Sequence, residues 1–309
     1  MAQTLNTPFM KPGGHNFIPG TFLGLINETA QDRGLLGKMV AEKPTLFGPV
    51  SGATFHGDAR AEVIGESDAK SANGDFRIDT WSSEPVKLHV GLRTSDEFKW
   101  ADEDYQLGIM QDYVAPELGK AIARAVDLLA IHGINPKTGQ PTTKMPKFLA
   151  QAANKVVVGG SPTTDLTNAV GLIMTQAGQP NGIATDAKYT FDLASEVYPA
   201  GHSLVGQPMY PQMGFSGATS WRGLHIETST TVAGTPEIAA PSGIRGIIGD
   251  WNQIRWGFQR NFPIEMIEYG DPDNTGRDLK GHNEVFLRTE AVVYVAINEL
   301  KRFALLKAA

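Results

Sequence analysis

A long polar excursion near the start of the chain constrains its fold most. The stretch from Ala53 to Ile78 is rich in charged residues, and the runs Ala61 to Ile64 and Phe76 to Trp81 could pair as strands. This pattern predicts a two-stranded excursion with a soft tip around Lys70 to Gly74. Because an isolated pair of strands is only marginally stable in water, the excursion needs a partner surface. The sequence therefore predicts a protein that assembles.

A half-buried strand and a long helix are predicted next. Apolar and polar residues alternate as far as Thr94, with Val86, Leu88, Val90 and Leu92 on the apolar face. The acidic run at 102–104 has the charge that a helix N-terminus favours, and apolar residues then recur at helical spacing as far as Gly133, a suitable C-cap. Pro116 predicts a kink or a break inside this helix.

The rest of the chain predicts two lobes, one of them built from discontinuous segments. The predicted helices are Phe22–Ala30 within an extended N-terminal arm, Asp165–Ala177 and Ala187–Val197. The predicted strands are Lys155–Val158, Gly182–Thr185, Gly223–Glu227, Arg245–Ile248, Ile254–Phe258, Ile264–Tyr269 and Val285–Ile297. A turn-rich loop from Asp271 to Asn283 separates the last two strands.

Composition excludes several classes of protein. The chain has 309 residues, enough for one large or two ordinary domains, and it contains no cysteine, so disulfides and thiolate metal sites are excluded. The formal net charge of −6 argues against a dedicated nucleic-acid binder, which needs clustered Lys and Arg. No secretory signal and no apolar stretch of membrane-spanning length is present, so we expect a soluble chain.

Sequence motifs of catalytic and metal-binding sites are missing as well. The sequence has no HExxH, nucleophile elbow, P-loop or G-x-G-x-x-G, although Ser216 lies one residue short of an elbow. The run from Asp271 to Gly276 begins like a calcium loop, but position 12 is His282 instead of a carboxylate, which favours a solvated turn. The acidic run at 102–104 is better explained as helix capping than as a metal cluster. A two-domain hydrolase therefore stays a distant alternative.

Four short runs, taken in order, resemble a known family. They are Lys87–Phe98 (KLHVGLRTSDEF), Ala123–Gly133 (ARAVDLLAIHG), Ile247–Trp251 (IIGDW) and the closing run Leu287–Leu306. Their order and spacing are similar to those of the Hong Kong 97-type major capsid proteins of tailed bacteriophages. The resemblance covers roughly residues 17 to 309.

The resemblance implies an α+β fold with five parts. They are an N-terminal arm (1–52), an E-loop (53–81), a peripheral domain with a long spine helix (82–145), an axial domain (146–252) and a return to the peripheral domain (253–309). Because only about fifty residues precede the E-loop, we expect a separate scaffolding protein or none.

The implied function is that of a major capsid protein. Such a chain self-assembles as hexamers and pentamers into an icosahedral head shell, which encloses double-stranded phage DNA without sequence-specific binding. Its location is the virion, with assembly in the bacterial host cytoplasm, and portal and decoration proteins are further partners. No catalysis, cofactor, metal or membrane contact is implied. An encapsulin-like shell of a cellular nanocompartment is the alternative, although the typical encapsulin helix motif is missing from residues 1–40.

The arm and the E-loop supply the expected contacts between subunits. The candidate contact residues are Phe17, Phe22, Val63, Ile64, Lys70, Phe76 and Ile78. Some family members join subunits through a Lys–Asn isopeptide bond, and Lys70 and Asn274 are analogues by location only. Since nothing in the sequence desolvates Lys70, we expect a solvated lysine and no cross-link.

Overall fold

The structure is a computed structural model that describes residues 16–17, 34–57, 60–70, 74, 76–97, 109–176, 178–215, 220–239, 242–261 and 264–308. The strands are β1 Asn16–Phe17, β2 Val50–Gly57, β3 Phe76–Ser83, β4 Val86–Ser95, β5 Asn154–Val158, β6 Gly182–Thr185, β7 Ser220–Trp221, β8 Leu224–Thr228, β9 Ile244–Gly249, β10 Ile254–Asn261, β11 Glu265–Ile267, β12 Glu284–Ile297 and β13 Phe303–Ala308. The α-helices are α1 Leu35–Met39, α2 Ala115–His132, α3 Pro162–Met174 and α4 Ala187–Ala194. Single 3-10 turns lie at Leu149–Gln151, Trp251–Gln253, Lys280–His282 and Leu300–Arg302.

A five-stranded sheet is built from distant parts of the chain. Its centre is β12, which pairs antiparallel with β4 along one edge and with β11 and β10 along the other, and β1 pairs with β11. This sheet therefore joins segments that are discontinuous in the sequence. The predicted alternating strand is also present as β4, in which Leu88 is buried while Lys87 and His89 are exposed. The alternation does not extend to Leu92, which was expected on the buried face and is exposed.

A six-stranded sheet forms the second lobe in the order β5-β13-β9-β6-β8-β7. The strands expected in the middle of the chain are all present, and β6 has the predicted bounds. The last strand, β13, differs from the expected domain division, which placed 253–309 in the other lobe. It lies inside this sheet between β5 and β9, because residues 303–306 are apolar and fully buried and need cover on both faces.

Two hydrophobic clusters hold the layers together. The larger cluster joins α2 to both sheets, and the smaller one packs α3 and α4 against the other face of the six-stranded sheet. Leu118, Ile122 and Val126 are buried on α2, as the helical spacing predicts. At 25 cal/mol per Å² of apolar surface, burial of each such side chain contributes about 1.5–3 kcal/mol.

Both ends of the long helix follow from backbone chemistry. Gly133 adopts a left-handed conformation with φ of 63°, and its N–H donates to the Leu129 carbonyl, which confirms the predicted C-cap. A π-helical turn, Met110–Val114, directly precedes α2, so the break expected at Pro116 is present as a change of helix type. The cause is that proline lacks an N–H and its ring clashes with the carbonyl four residues earlier. The predicted start at 102–104 lies outside the described residues.

The polar excursion begins with a separate two-stranded sheet. In this hairpin β2 pairs with β3, from Val50 opposite Ser83 to Gly57 opposite Phe76. The prediction that Ala61–Ile64 pairs with Phe76–Trp81 is wrong. Gly52 lies opposite Trp81 in this register, and a Cβ there would lie 2.4 Å from the Trp81 ring, so glycine leaves room for the indole.

Candidate assembly surfaces

The segment 60–70 beyond the hairpin is exposed throughout and includes three predicted contact residues. Val63 is fully exposed, and Ile64 and Lys70 are exposed as well. On the hairpin itself, Ile78 is exposed, and Phe55 opposite it is 63% exposed. These apolar side chains lie where a neighbouring molecule could cover them.

The other predicted contact residues lie wholly or partly outside the described part of the chain. Phe22 and the helix predicted for Phe22–Ala30 lie outside the described residues. The backbone of Phe17 pairs with Glu265 and that of Phe76 with Gly57, while their side chains lie outside the described part of the structure.

The base of the hairpin is fixed to the five-stranded sheet. The Ser83 hydroxyl donates to the Val295 carbonyl at 2.8 Å, and the Arg255 guanidinium lies over the Trp81 ring, 5.5 Å from its centroid. A cation over an indole face contributes about 0.5–1 kcal/mol at an exposed site. The base is therefore held, while the apolar residues farther along the excursion are exposed.

Residues 40–48 form a strap along the edge strand β10, which sequence analysis missed. The Lys43 N–H donates to the Trp256 carbonyl at 2.9 Å, and the Trp256 indole N–H donates to the Val40 carbonyl at 2.9 Å. This arrangement covers an edge that would otherwise offer unpaired backbone groups. Leu46 and Phe47 at the end of the strap are exposed, which adds an apolar patch beside the hairpin.

A buried carboxylate fixes the segment that enters the strap. Asp127, in the middle of α2, is 2% exposed and accepts hydrogen bonds from the backbone amides of Leu35 and Leu36 at 2.8 and 2.9 Å. Burial raises the pKa of Asp127 to about 6, against the opposing effect of these hydrogen bonds. The only sequence signal for this contact is one aspartate in the apolar part of a helix.

Arg124, one turn before Asp127 on α2, holds the loop after β8. Its guanidinium bonds to both carboxylate oxygens of Glu237 and donates to the Thr230 hydroxyl at 2.8 Å. These hydrogen bonds raise the pKa of Arg124 and lower that of Glu237. The long helix therefore fixes two segments that are far apart in the sequence.

The calcium-like loop binds a side-chain cation. The Arg93 guanidinium donates to Asp271 at 3.2 Å, to Glu284 at 2.8 Å and, over a shorter contact, to Asp273. These hydrogen bonds raise the pKa of Arg93 and lower the pKa of Asp273 to about 2. Among the described residues, no group of three His, Asp or Glu side chains could hold a metal ion. The guanidinium thus bonds to the carboxylates of Asp271 and Asp273, the first and third residues of the calcium-like run, and to the Thr275 hydroxyl.

The remaining candidate side chains are not brought together. Lys70 is exposed in the segment 60–70, and Asn274 is exposed in the loop before β12 with φ of 54°. No hydrogen bond joins the two within the described part of one chain. Ser216 and the acidic run at 102–104 lie outside the described residues. No described helix is both long and apolar enough to cross a membrane.

Comparison with solved structures identifies the fold. A structure from Mycobacterium phage Ogopogo matches with a TM-score of 0.78 and 35% sequence identity over 90% of this chain and 92% of that chain. One from Gordonia phage Cozz matches with a TM-score of 0.73 and 24% identity over 90% and 87% of the two chains. The capsid of an empty GTA particle, computed with C5 symmetry, matches with a TM-score of 0.59 and 13% sequence identity over 97% of this chain and 96% of that chain. No protein-family model and no curated protein matches the sequence.

Two of these structures come from phages and the third is a capsid, so the fold is the one found in the proteins of viral shells. The chain belongs to the tailed-bacteriophage major capsid protein family with the Hong Kong 97-type fold. The resemblance drawn from the four sequence runs is thereby confirmed, and the location that it implies is the virion capsid.

Proposed function

We propose that this chain self-assembles as hexamers and pentamers into an icosahedral head shell around double-stranded phage DNA, and that it catalyses no reaction. The observation that carries the proposal is the excursion between β2 and β3, which presents apolar side chains in a family of capsid proteins. Its fixed base and exposed outer part suit a segment that lies over a neighbouring subunit.

Each part of the fold takes a role in this proposal. The hairpin with its outer segment is the E-loop (53–81), α2 is the spine helix of the peripheral domain, and the six-stranded sheet is the axial domain. The peripheral domain combines the parts at 82–145 and 253–297, since β13 completes the axial sheet. The N-terminal arm, residues 1–52, ends in the strap.

Energetics favour assembly through several modest contacts. Burial of Val63, Ile64 and Ile78 on a neighbour would contribute about 1.5–3 kcal/mol for each side chain before the cost of ordering the segment. In a closed symmetric shell every subunit both gives and receives such contacts. Weak individual contacts can therefore support a stable particle.

The further partners follow from chemistry and from the family. A net charge of −6 suits enclosure of DNA without sequence-specific binding, because tight phosphate contact needs clustered cations. A portal and decoration proteins are further partners in the proposed assembly, which takes place in the bacterial cytoplasm. The encapsulin-like alternative gains no support from the matched phage structures.

Shortening the excursion tests the proposal. Replacing residues 58–75 with a short Gly-Ser turn should leave the core folded, with a similar cooperative melt, because β4 and α2 keep their own contacts. Assembly, followed by sedimentation and negative-stain microscopy, should fail or give aberrant particles.

A control replaces the same residues with a Gly-Ser segment of equal length. This variant keeps the length of the excursion but removes its side chains. Its assembly should also fail or give aberrant particles. A far lower melting temperature for the shortened chain would make the segment part of the core. Normal shells from the shortened chain would show that residues 58–75 are dispensable for assembly.

A further inference from the structure

One guanidinium nitrogen of Arg93 is surrounded by oxygen atoms of the loop before β12. The Arg93 side chain extends from β4 and is only 17% exposed. Its Nη2 atom donates to the Asp271 carboxylate, the Thr275 hydroxyl and the Arg277 carbonyl at 3.0 to 3.2 Å, and it makes a shorter contact with Asp273. Four oxygen atoms from one short run of sequence thus enclose a single cationic nitrogen. Surroundings made of oxygen atoms alone are those that Ca²⁺ requires.

The order of these oxygen atoms in the sequence is that of a calcium loop. In an EF-hand loop, positions 1, 3 and 5 bind the ion through side chains, position 7 binds it through its backbone carbonyl, and position 6 is glycine. Counted from Asp271, the four partners of Arg93 Nη2 stand at positions 1, 3, 5 and 7. Gly276 stands at position 6 with φ of 79°. The guanidinium nitrogen therefore lies where such a loop holds its ion.

Glu284 supplies the carboxylate that the sequence lacks at position 12. The residue at that position, His282, bonds through Nδ1 to the Asp278 carbonyl at 2.8 Å. Glu284, two residues farther on at the start of β12, accepts from Arg93 Nη1 at 2.8 Å and from Arg277 at 2.7 Å. The width of the guanidinium thus separates this carboxylate from those bonded to Nη2. For that reason the carboxylates of the described chain form no group that could hold a metal ion while Arg93 is present.

The charges around Arg93 also fit a cation that is part of the chain. Three carboxylates face the two guanidinium groups of Arg93 and Arg277; they belong to Asp271, Asp273 and Glu284. The hydrogen bond from Arg93 lowers the pKa of Asp273 to about 2, so this carboxylate is ionised at neutral pH. Without Arg93, three carboxylates would face one guanidinium, and the excess of two negative charges is the charge that one divalent cation neutralises.

We propose that Arg93 is a tethered substitute for a divalent cation, and that the loop before β12 is a calcium loop whose ion is this guanidinium. The loop of the parent protein is therefore ordered without any free metal ion. Removal of the guanidinium opens the loop to Ca²⁺, whose oxygen ligands lie at about 2.3–2.6 Å, so the loop oxygen atoms move inward by less than about 1 Å. Mg²⁺ does not replace it, because Mg²⁺ demands octahedral geometry at about 2.1 Å. This role of Arg93 does not depend on assembly.

Rescue of Arg93→Ala by Ca²⁺ tests the proposal. The measurement is hydrogen exchange in full-length, unassembled subunits at the amides of Thr275 and Gly276, which donate to Asp271. In a chelator, exchange should be faster in the variant than in the parent, because the carboxylates of the loop then repel one another. We expect the variant to bind Ca²⁺ with a Kd of about 10⁻⁴–10⁻³ M, as in calcium sites of low affinity. Ca²⁺ at about ten times this Kd should slow exchange about tenfold, whereas neither Ca²⁺ nor chelator should change exchange in the parent.

Three controls separate ion replacement from a general loss of structure. Arg93→Lys keeps a positive charge in the loop, so Ca²⁺ should leave its exchange unchanged. Arg93→Ala combined with Asp271→Asn lacks the ligand at position 1, so the slowing by Ca²⁺ should be lost. Mg²⁺ at the same concentration should leave exchange in Arg93→Ala unchanged.

Each outcome decides the proposal. Slowing by Ca²⁺ that occurs in Arg93→Ala and needs Asp271 supports it. No slowing in Arg93→Ala, or equal slowing in the parent, overturns it, and slowing that persists without the Asp271 carboxylate places the ion elsewhere and overturns it as well. If Arg93→Ala does not fold in chelator, folding on addition of Ca²⁺ supports the proposal. A chain that stays unfolded in Ca²⁺, with Arg93→Gln behaving in the same way, overturns it.

Discussion

The backbone N–H of Leu35 donates to the buried carboxylate of Asp127 over 2.8 Å, although 92 positions separate the two residues in the sequence. This bond joins the N-terminal arm to the long helix α2. An unpaired buried amide would cost about 1–3 kcal/mol, so the contact fixes where the arm leaves the core.

Subunit stability should depend on pH through Asp127. The pKa of this carboxyl is about 6 in the folded chain, above the ordinary 3.8, so the folded state binds the proton more tightly than the unfolded state. The stabilisation from this group is full below about pH 3.8 and is lost as the pH rises through about 6.

A comparison of the parent with Asp127→Asn isolates this effect, because asparagine does not titrate and the two proteins have all other titratable groups in common. The parent should lose about 1 kcal/mol of unfolding free energy relative to the variant between about pH 5 and about pH 8. Urea unfolding of unassembled subunits measures this difference. A constant difference across the range would show that Asp127 does not titrate as described.

Arg93 should order the loop before β12. In Arg93→Lys, a single ammonium replaces a guanidinium that bridges several oxygen atoms, so the loop should lose order. We expect faster hydrogen exchange over 271–283, including the amides of Thr275 and Gly276 that donate to Asp271. Arg77→Lys, in an exposed pair with Asp79, is the matched control and should leave the loop unchanged. Unchanged exchange in Arg93→Lys would refute the role.

The strap should depend on the small size of Gly257. A Cβ at this position would lie 2.3 Å from the Lys43 carbonyl oxygen, so Gly257→Ala must displace the strap or the strand. We expect a loss of about 1–3 kcal/mol in unfolding free energy.

Gly171→Ala is its control, because no atom lies within 4 Å of the added Cβ in helix α3, and it should stabilise by about 0.5–1 kcal/mol. Equal effects of the two alanines would contradict the close contact between strap and strand.

Assembled particles should contain no isopeptide bond between Lys70 and Asn274. Both residues are exposed, and the reaction needs a desolvated, deprotonated amine. Boiled particles should give one band at the subunit mass of 33.3 kDa on a denaturing gel. A ladder that disappears in Lys70→Arg would show a cross-link.

Sequence patterns predicted those elements whose cause is local. The bounds of β6, the alternation in β4 and the cap at Gly133 follow from neighbouring residues, and each is present. The register of the hairpin was mispredicted because β2 contains two glycines and has little strand character. The space that Gly52 leaves for Trp81 is a contact across the hairpin, which periodicity does not show.

The candidate surfaces were predictable only in part. Val63 and Ile64 stand out as apolar residues in a charged stretch, and the structure leaves both exposed. The contacts of Asp127 and Arg93 join residues that are more than ninety positions apart, so no local pattern marks them. Helical spacing of apolar residues located the long helix but gave no partner for Asp127.

Negative-stain electron microscopy of the purified protein tests the central claim most directly. Samples would cover a range of salt concentrations, with and without a scaffolding protein. The capsid assignment predicts large symmetric particles, or rings of five and six subunits, because the exposed apolar residues of the excursion need a neighbour to cover them. Monomers or dimers alone under every condition, with sedimentation in agreement, would contradict it.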